Sequence, residues 1–191
     1  MAKLNWKPGN MLYPLPAVMV SCKAKEKEAR SNIITLAWAG TICSDPVMLS
    51  VSIRPERYSH DIIEKSGEFV VNLTTEDLTR ACDWCGVCSG RDHDKFKEMK
   101  LTGYVSDFME TPAIAESPVN IYCKVQEIHR LGSHDMFIAK VVGVTVDEAF
   151  MNEKGRFDLD ATKLITYSHG EYFALGRKLG KFGFSVQKRK K

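Results

Sequence analysis

The segment from residue 119 to residue 146 constrains the fold more than any other part of this chain. The eight residues Val119–Gln126 alternate apolar and polar side chains, which is typical of a strand with one buried face. A second apolar run, Phe137–Val146, returns after the turn Gly132–Asp135. Two long strands joined by so short a turn predict an antiparallel pair, because parallel strands need a much longer crossover.

Strand signals also dominate the first part of the chain. Apolar runs predict four earlier strands: Pro16–Cys22, Asn32–Trp38, Val47–Ile53 and Glu68–Leu73. Many strands and few helices favour an antiparallel barrel over a doubly wound sheet. The predicted fold class is therefore mainly β, a β-barrel with a few short helices.

Helix signals are few and short. Ser59 is predicted as the N-cap of a helix over His60–Lys65, which ends at Gly67. Thr75 is predicted as the N-cap of a second helix that reaches residue 82. Residues 85–91 and the polar region 151–160 are predicted to be loops.

The predicted strand Asn32–Trp38 mixes polar and aromatic side chains with apolar ones. Asn32 and Trp38 share one face of an extended strand, and Thr35 lies on the other. An amide, a hydroxyl and an indole suit a flat amphipathic ligand, because the first two form hydrogen bonds and the third offers stacking area. A half-buried strand with one aromatic anchor is the alternative interpretation.

A cation stands where another predicted strand, Val47–Ile53, ends at Arg54. The helix that follows has free amides at its first turn, which attract anions. A phosphate there would meet the hydroxyls of Tyr58 and Ser59 and a guanidinium from Arg54 or Arg57. The alternative is an ordinary strand-to-helix turn with solvated arginines.

Both stretches stand in the order and approximate spacing of the flavin reductase-like, FMN-binding split-barrel family, and the chain resembles its flavoredoxin-like branch in particular. The resemblance includes three further regions, which are Cys85–Phe96, Gly132–Ile138, and Tyr172–Gly176 together with Leu179–Gly183. It covers residues 14–184, nearly the whole chain.

The resemblance implies an FMN-binding split barrel. Asn32, Thr35 and Trp38 would contact the isoalloxazine and ribityl groups, the residues at 54, 58 and 59 would hold the phosphate, and those at 89 and 90 would close over the flavin. The complete set of implied cofactor-binding residues is Asn32, Thr35, Ala37, Trp38, Ile53, Arg54, Tyr58, Ser59, Ser89 and Gly90. No residue is assigned a catalytic acid or base role, because hydride transfer to a flavin requires none.

The implied function is an oxidoreductase that passes hydride or electrons from NADH or NADPH through FMN to a flavin or another acceptor. A non-enzymatic FMN electron carrier that serves protein redox partners is the alternative. The resemblance also implies a homodimer that completes its flavin pockets across a two-fold interface. His134 is a candidate for the flavin edge or the nicotinamide, and His169 is a comparable one, with simple solvent exposure as the alternative for both.

Three of the six cysteines, Cys82, Cys85 and Cys88, recur at every third residue. A four-thiolate metal site needs another cysteine close by, and the other three are distant in sequence. We therefore expect no metal site, and redox-active thiols and plain structural cysteines remain as alternatives. Cys88, which precedes the implied flavin contact at residue 89, is predicted to be the most reactive thiol.

The size and charge of the chain limit what else it can be. Its 191 residues suit a single domain over 1–191, with a basic tail at 186–191. A net charge of +3 is too small to require a nucleic-acid partner. No apolar run reaches the roughly 18 residues that cross a bilayer, so we expect no membrane contact and a cytoplasmic location.

Overall fold

Most of the apolar runs form strands in the structure, a computed structural model that describes residues 1–26 and 29–186. The described residues contain twelve strands: β1 (Leu15–Pro16), β2 (Val18–Cys22), β3 (Asn32–Leu36), β4 (Ala39–Ser44), β5 (Val47–Ile53), β6 (Glu68–Leu73), β7 (Gly103–Ser106), β8 (Met109–Ile114), β9 (Val119–Arg130), β10 (Asp135–Val146), β11 (Ile165–Ser168) and β12 (Glu171–Ala174). They also contain three α-helices: α1 (Tyr58–Ser66), α2 (Thr79–Val87) and α3 (Lys95–Glu98). None of these helices has the length and apolar character needed to cross a membrane. The predicted basic tail lies outside the described residues from position 187 onward.

Seven strands form the main sheet, in the order β3-β2-β6-β9-β10-β5-β4. Its two edge strands, β3 and β4, are consecutive in the chain, and only Ala37 and Trp38 separate them. Because Leu36 and Ala39 can be at most about 10 Å apart, the sheet must curl until the end of β3 lies next to the start of β4, although the two edge strands do not pair with each other. The amide of Ser52 in β5 donates to the Trp38 carbonyl at this junction, over 2.8 Å. The predicted mainly-β barrel with a few short helices is confirmed.

Strand β2 is buried on both faces, which explains why four of its five residues are apolar. Val20 packs inside the curled sheet with Phe137 of β10 and Ile63 of α1. Met19 points the other way and packs with Cys82 of α2. The sheet therefore has one core inside the curl and a second core beneath α2.

Several predicted elements agree with the structure. Strands β5 and β6 have the predicted bounds, and β9 with β10 forms the predicted antiparallel hairpin, extended at both ends of its turn. Strand β4 and the pairs β7–β8 and β11–β12 were not predicted. Strand β4 is largely exposed and lacks an alternating apolar pattern, so its sequence carries little strand signal.

Three local predictions are wrong. Strand β3 ends at Leu36, so Trp38 lies in the bend after it and not on a shared strand face. Ser59 is not an N-cap: α1 begins at Tyr58, two residues earlier than predicted, with Arg57 in extended conformation at the cap position. Helix α2 begins at Thr79 and not after Thr75, because Thr75 is held in an extended bridge with residue 164. The helix also continues through residue 87, into the predicted loop.

Candidate functional site

The N-terminus of α1 lies directly after β5, at one end of the curled sheet. Arg57 precedes the helix with φ −73° and ψ 134°, and no side chain caps the free amides of the first turn. Ser59, in that turn, is buried, and its hydroxyl accepts a 2.7 Å hydrogen bond from the Asn32 side-chain amide on β3. This contact ties the helix start to the edge of the sheet.

A small cavity of about 160 Å³ opens at this helix start. Arg57, Tyr58 and Ser59 line it from α1, and Ser89 and Gly90 line it from the segment after α2. Hydroxyl-bearing residues thus line one space from both sides, and Arg57, Arg91 and Glu56 line it with them. The arrangement suits a small anion.

Gly90 is required where it stands. A Cβ at this position would lie 2.0 Å from Oδ1 of Asn32, so no side chain fits without displacing that amide. The Gly90 carbonyl accepts a 2.7 Å hydrogen bond from Arg30, which holds the segment against the sheet. Close backbone approach is a common reason for a glycine beside a ligand site.

Lys95 is a lining residue of the small cavity that the sequence analysis did not identify. Its side chain is buried, and its ammonium group donates to the carbonyls of Ile33 and Cys85, each over 2.6 Å. Burial lowers the pKa of Lys95. The sequence signal was a lysine flanked by Asp94 and Phe96 at the start of α3, within one of the segments that carry the family resemblance.

A larger cleft of about 440 Å³ continues from the small cavity. The two spaces share Ile34, Arg57 and Gly86 in their walls. Trp38 lines the larger cleft and stacks on His134, with ring centroids 5.9 Å apart and planes 5° apart. The cleft therefore combines an aromatic wall with direct access to the anion-sized cavity.

The C-terminal strands complete the aromatic wall. Tyr167 of β11 lies 6.4 Å from Trp38, measured between ring centroids, and Tyr172 of β12 packs edge-on against Tyr167 at 5.9 Å. Both tyrosines line the larger cleft. Neither tyrosine was predicted to line the site, and Tyr172 marked only a segment of the family resemblance.

Two polar side chains at the larger cleft are already engaged. The Thr35 hydroxyl donates to the carbonyl of Cys82, which fixes β3 against α2. His134 contacts the Ser133 hydroxyl at 3.0 Å. Burial, and then the nearby Arg54 cation, lower the pKa of His134. The imidazole on the Trp38 ring is therefore neutral at pH 7.

The ten predicted cofactor-binding residues fall into three groups. Thr35, Ala37, Trp38 and Arg54 line the larger cleft. Tyr58, Ser59, Ser89 and Gly90 line the small cavity. Asn32 and Ile53 stand behind the walls, the first bonded to Ser59 and the second in the core at 1% exposure.

Arg57, predicted only as an alternative phosphate ligand, lines both spaces. Arg54 lines only the larger cleft and not the small cavity. Of the two candidate histidines, His134 lines the larger cleft. His169 is exposed and instead lies against Tyr13, with a centroid distance of 4.5 Å.

The three regularly spaced cysteines lie on α2 and at its end. Burial raises the pKa of Cys82 to about 11 and that of Cys85 to about 12, so both thiols are protonated at neutral pH and are poor nucleophiles. Cys88 is half-buried and lines the small cavity. Its greater reactivity, and the lack of metal binding by the three, stay predictions.

Comparison with known proteins places this geometry in a family. The family model of the flavin reductase like domain matches residues 11–176. The flavoredoxin of Desulfovibrio vulgaris (Miyazaki F) superposes with a TM-score of 0.88 at 28% identity, over 97% of this chain and 100% of its own. The FMN-binding protein of Thermus thermophilus superposes with a TM-score of 0.78 at 24% identity, over 95% of this chain and 99% of its own.

An uncharacterised protein of Archaeoglobus fulgidus is 29% identical over 162 residues, which are 85% of this chain and 88% of that relative. The matched region contains all ten residues that the sequence pointed to, and every residue that lines the two cavities except Asn10. The chain belongs to the flavin reductase like domain family.

Proposed function

We propose that this protein binds FMN, with the ring system in the larger cleft and the phosphate in the small cavity. The observation that carries the proposal is the continuity of the two spaces, one walled by aromatic rings and the other by a helix start and cations. A flavin mononucleotide has the same two parts, a flat amphipathic ring and a dianionic phosphate. Membership of the family and the similarity to a flavoredoxin support the same ligand.

Each part of the site has a separate task in this proposal. Arg57, the amides of the first turn of α1 and the Ser59 hydroxyl hold the phosphate. The Lys95 ammonium uses two hydrogens on backbone carbonyls and offers the third to the same phosphate. Trp38 and the tyrosines of β11 and β12 orient the ring and exclude water from it. FMN, when bound, supplies hydride and single-electron chemistry.

We propose an oxidoreductase that takes its electrons from NADH or NADPH. The nicotinamide would reach the ring at the open side of the larger cleft, beside Trp38 and His134. A non-enzymatic electron carrier is the second candidate, and the similarity to a flavoredoxin favours it. Both functions need the same FMN site, and they differ in whether a reduced nicotinamide is a rapid donor.

The first experiment is the visible spectrum of freshly purified protein, followed by titration of apo-protein with FMN. A colourless protein that fails to bind added FMN would rule the proposal out. Stopped-flow mixing of the FMN-loaded protein with NADH and NADPH then separates the two candidates. Rapid, saturable bleaching of the flavin indicates a reductase, and bleaching only by a reduced redox protein indicates a carrier.

Lys95 provides a matched test of the phosphate position. Lys95→Met removes the buried ammonium but keeps the length of the side chain, and Lys97→Met makes the same change at an exposed position on α3. A charge-assisted hydrogen bond contributes roughly 1.5 to 3 kcal/mol. Lys95→Met should therefore weaken FMN binding by about tenfold to a hundredfold, at roughly 1.4 kcal/mol per decade, and Lys97→Met should leave it unchanged.

A further inference from the structure

The two ring nitrogens of His60 on α1 have different surroundings. The side chain is 4% exposed, and its ring packs edge-on against Phe137 of β10, with centroids 5.2 Å apart. Nε2 lies 2.8 Å from Oδ2 of the buried Asp135, and a longer contact of 3.4 Å joins the same nitrogen to Arg130. The shorter contact places a hydrogen on Nε2, because an ionised carboxylate can only accept. In the neutral imidazole, Nδ1 therefore carries the lone pair.

Two carboxylates of α1 converge on that lone pair. Oδ1 of Asp61 lies 3.3 Å from Nδ1 of His60, and Oε2 of Glu64 lies 3.8 Å from it. The three atoms lie within 4.8 Å of one another. In the described part of the chain, neither oxygen accepts a hydrogen bond from any other side chain. Three acceptor atoms that face one another are stable when a cation lies between them.

The charge of the cluster also favours a cation. Three carboxylates, those of Asp61, Glu64 and Asp135, surround the imidazole. Among the described ion pairs of this cluster, Arg130 is the one strong base, and it contacts Asp135 and Oε1 of Glu64. Two negative charges therefore remain without a partner. Oε2 of Glu64 is the oxygen that faces His60 and not the guanidinium.

We propose that His60, Asp61 and Glu64 bind a divalent transition-metal ion, of the Zn²⁺ or Mn²⁺ type, through Nδ1, Oδ1 and Oε2. Zinc ligands lie about 2.0 to 2.2 Å from the ion, so two ligand atoms of a tetrahedral site are roughly 3.4 Å apart. The observed separations of 3.3 Å and 3.8 Å are close to this distance. An imidazole favours such ions over Mg²⁺ and Ca²⁺, which take oxygen ligands.

The surroundings of the three ligands also suit a metal ion. Asp135 accepts from the second ring nitrogen and so fixes the orientation of the imidazole, as carboxylates behind metal-bound histidines do. Asp61 lines a cavity of about 400 Å³ beside α1, which provides a path from solvent and room for water ligands. Lys65 lines that cavity as well, but it forms no ion pair with Asp61 in the described residues. The site uses no cysteine and no residue assigned to the flavin, so the two proposals can fail separately.

Mn²⁺ is the main probe, because thiols favour softer ions and the cysteines then stay out of the experiment. Chelator-treated protein should bind one equivalent of Mn²⁺, measured as the loss of the EPR signal of the free ion. Asp61→Asn and Glu64→Gln should each weaken Mn²⁺ binding at least tenfold, and the double variant at least a hundredfold. Glu127→Gln is the matched control and should leave the affinity unchanged, because Glu127 also contacts a histidine, at 2.9 Å, but in an exposed pair.

NMR identifies the occupant of the site directly. Zn²⁺ should shift the Nδ1 resonance of His60 and leave the hydrogen on Nε2, and His60→Gln assigns the resonance. Three outcomes would overturn the proposal. The first is that neither ion changes the His60 resonances. The second is Mn²⁺ binding that survives both Asp61→Asn and Glu64→Gln, which would place the ion elsewhere. The third is a His60 ring with hydrogens on both nitrogens at pH 7 that Zn²⁺ does not displace, which would make a proton the cation of this cluster.

Discussion

Arg57 and Arg54 are only three residues apart, yet they face different parts of the site. Arg57 lines both the small cavity and the larger cleft, and Arg54 faces the larger cleft with its guanidinium 3.7 Å from Glu56. Spacing alone could not separate them, because both follow the same strand end. The separation comes from the turn between β5 and α1, in which Arg57 has an extended backbone immediately before the helix.

We expect Arg57→Ala to weaken FMN binding by about tenfold to a hundredfold, through the loss of one charge-assisted phosphate contact of roughly 1.5 to 3 kcal/mol. Riboflavin, which has no phosphate, should bind the variant as it binds the wild type. Arg54→Ala is the matched control and should have a smaller effect on FMN. A larger loss of FMN affinity in the Arg54 variant would instead indicate that Arg54 binds the phosphate, as the family resemblance implies.

The pKa of His134 is expected to lie below its ordinary value, because burial and then the Arg54 cation lower it. An NMR titration of His134 should therefore have its midpoint below 6.5. Arg54→Ala should raise the midpoint without restoring it fully, because burial remains. His134→Gln assigns the resonance. A midpoint unchanged by Arg54→Ala would show that the two side chains do not interact in solution.

The sign of the His134 effect on stability follows from the same pKa shift. The unfolded chain binds a proton at this residue more readily than the folded protein does, so stability falls as the pH decreases below about 6.5. Above that pH the contribution of His134 is constant. His134→Gln should make the pH dependence of the urea midpoint shallower in this window.

Residue chemistry identified much of the site from the sequence. Tyr58, Ser59 and Trp38 were recognised because hydroxyls at a helix start and an indole after a strand have a direct use in ligand binding. Lys95 was missed because a lysine is almost always exposed, and only the packing of α3 on β3 buries this one. Tyr167 and Tyr172 reach the cleft through distant strand pairing, which their local sequence does not encode.

At the scale of elements, helix α1 is fixed by contacts with the long hairpin of β9 and β10. Nε2 of the buried His60 lies 2.8 Å from Oδ2 of Asp135 at the start of β10. Arg130 at the end of β9 donates to both Asp135 and Glu64 of α1. The turn of the long hairpin thus sets the position of the helix whose first turn lines the small cavity.

Asp135→Asn tests this attachment. Burial disfavours ionisation of Asp135, but hydrogen bonds from Arg130 and His60 outweigh it and lower the pKa of the carboxyl. The stabilisation is therefore present above the unfolded pKa of about 3.9 and is lost as the pH falls through the lower folded value. The difference between the urea midpoints of wild type and variant should be full at pH 6 and should shrink below pH 4.

Glu127→Gln is the control for that experiment. Glu127 lies 2.9 Å from His129 in an exposed pair on β9, and exposed pairs contribute little to stability. Its urea midpoint should follow the wild type at every pH. Equal effects of the two substitutions would mean that Asp135 does not hold the helix.

Elements with a strong apolar pattern could be predicted, and the others could not. Strands β5, β6 and β9 bury alternate or continuous side chains, so their sequences carry the signal. Strand β4 owes its existence to pairing with β5 and not to its own pattern. The start of α2 was misplaced because Thr75 pairs with residue 164, a contact that no local rule anticipates.

At the scale of the whole molecule, exposed apolar side chains concentrate at the free edge of the sheet and at the chain termini. Ile42 and Val47 lie on the edge hairpin of β4 and β5, Trp6 and Leu12 lie in the N-terminal segment, and Phe182 lies after β12. Strand β4 also presents an unpaired edge. Such surfaces are typical of protein interfaces, because a soluble monomer rarely leaves them uncovered.

We predict a homodimer on this basis and on that of the family resemblance. Light scattering should give about twice the chain mass of 21.5 kDa. Ile42→Lys should shift the protein toward the monomer, because a charge on the free edge disfavours pairing. Val105→Lys, at an exposed position on β7, should not. A monomer that still binds FMN tightly would contradict the prediction.

The barrel itself could be foreseen from the number of strands and the long hairpin, but its closure could not. Closure depends on β3 and β4 being opposite edges of one sheet with only two residues between them. The positions of β3 and β4 at opposite edges depend on how all seven strands pair. No short segment of the sequence carries that information.

The first strand of the chain, β1, pairs with β11, which is synthesised near the end of translation. Leu15 pairs with Tyr167, and the Thr166 hydroxyl donates to the Leu15 carbonyl over 2.6 Å, across 151 positions of the chain. At roughly 5 to 20 residues per second, the ribosome adds Tyr167 about 8 to 30 s after Leu15. The larger cleft, which Tyr167 and Tyr172 line, can therefore be completed only near the end of translation.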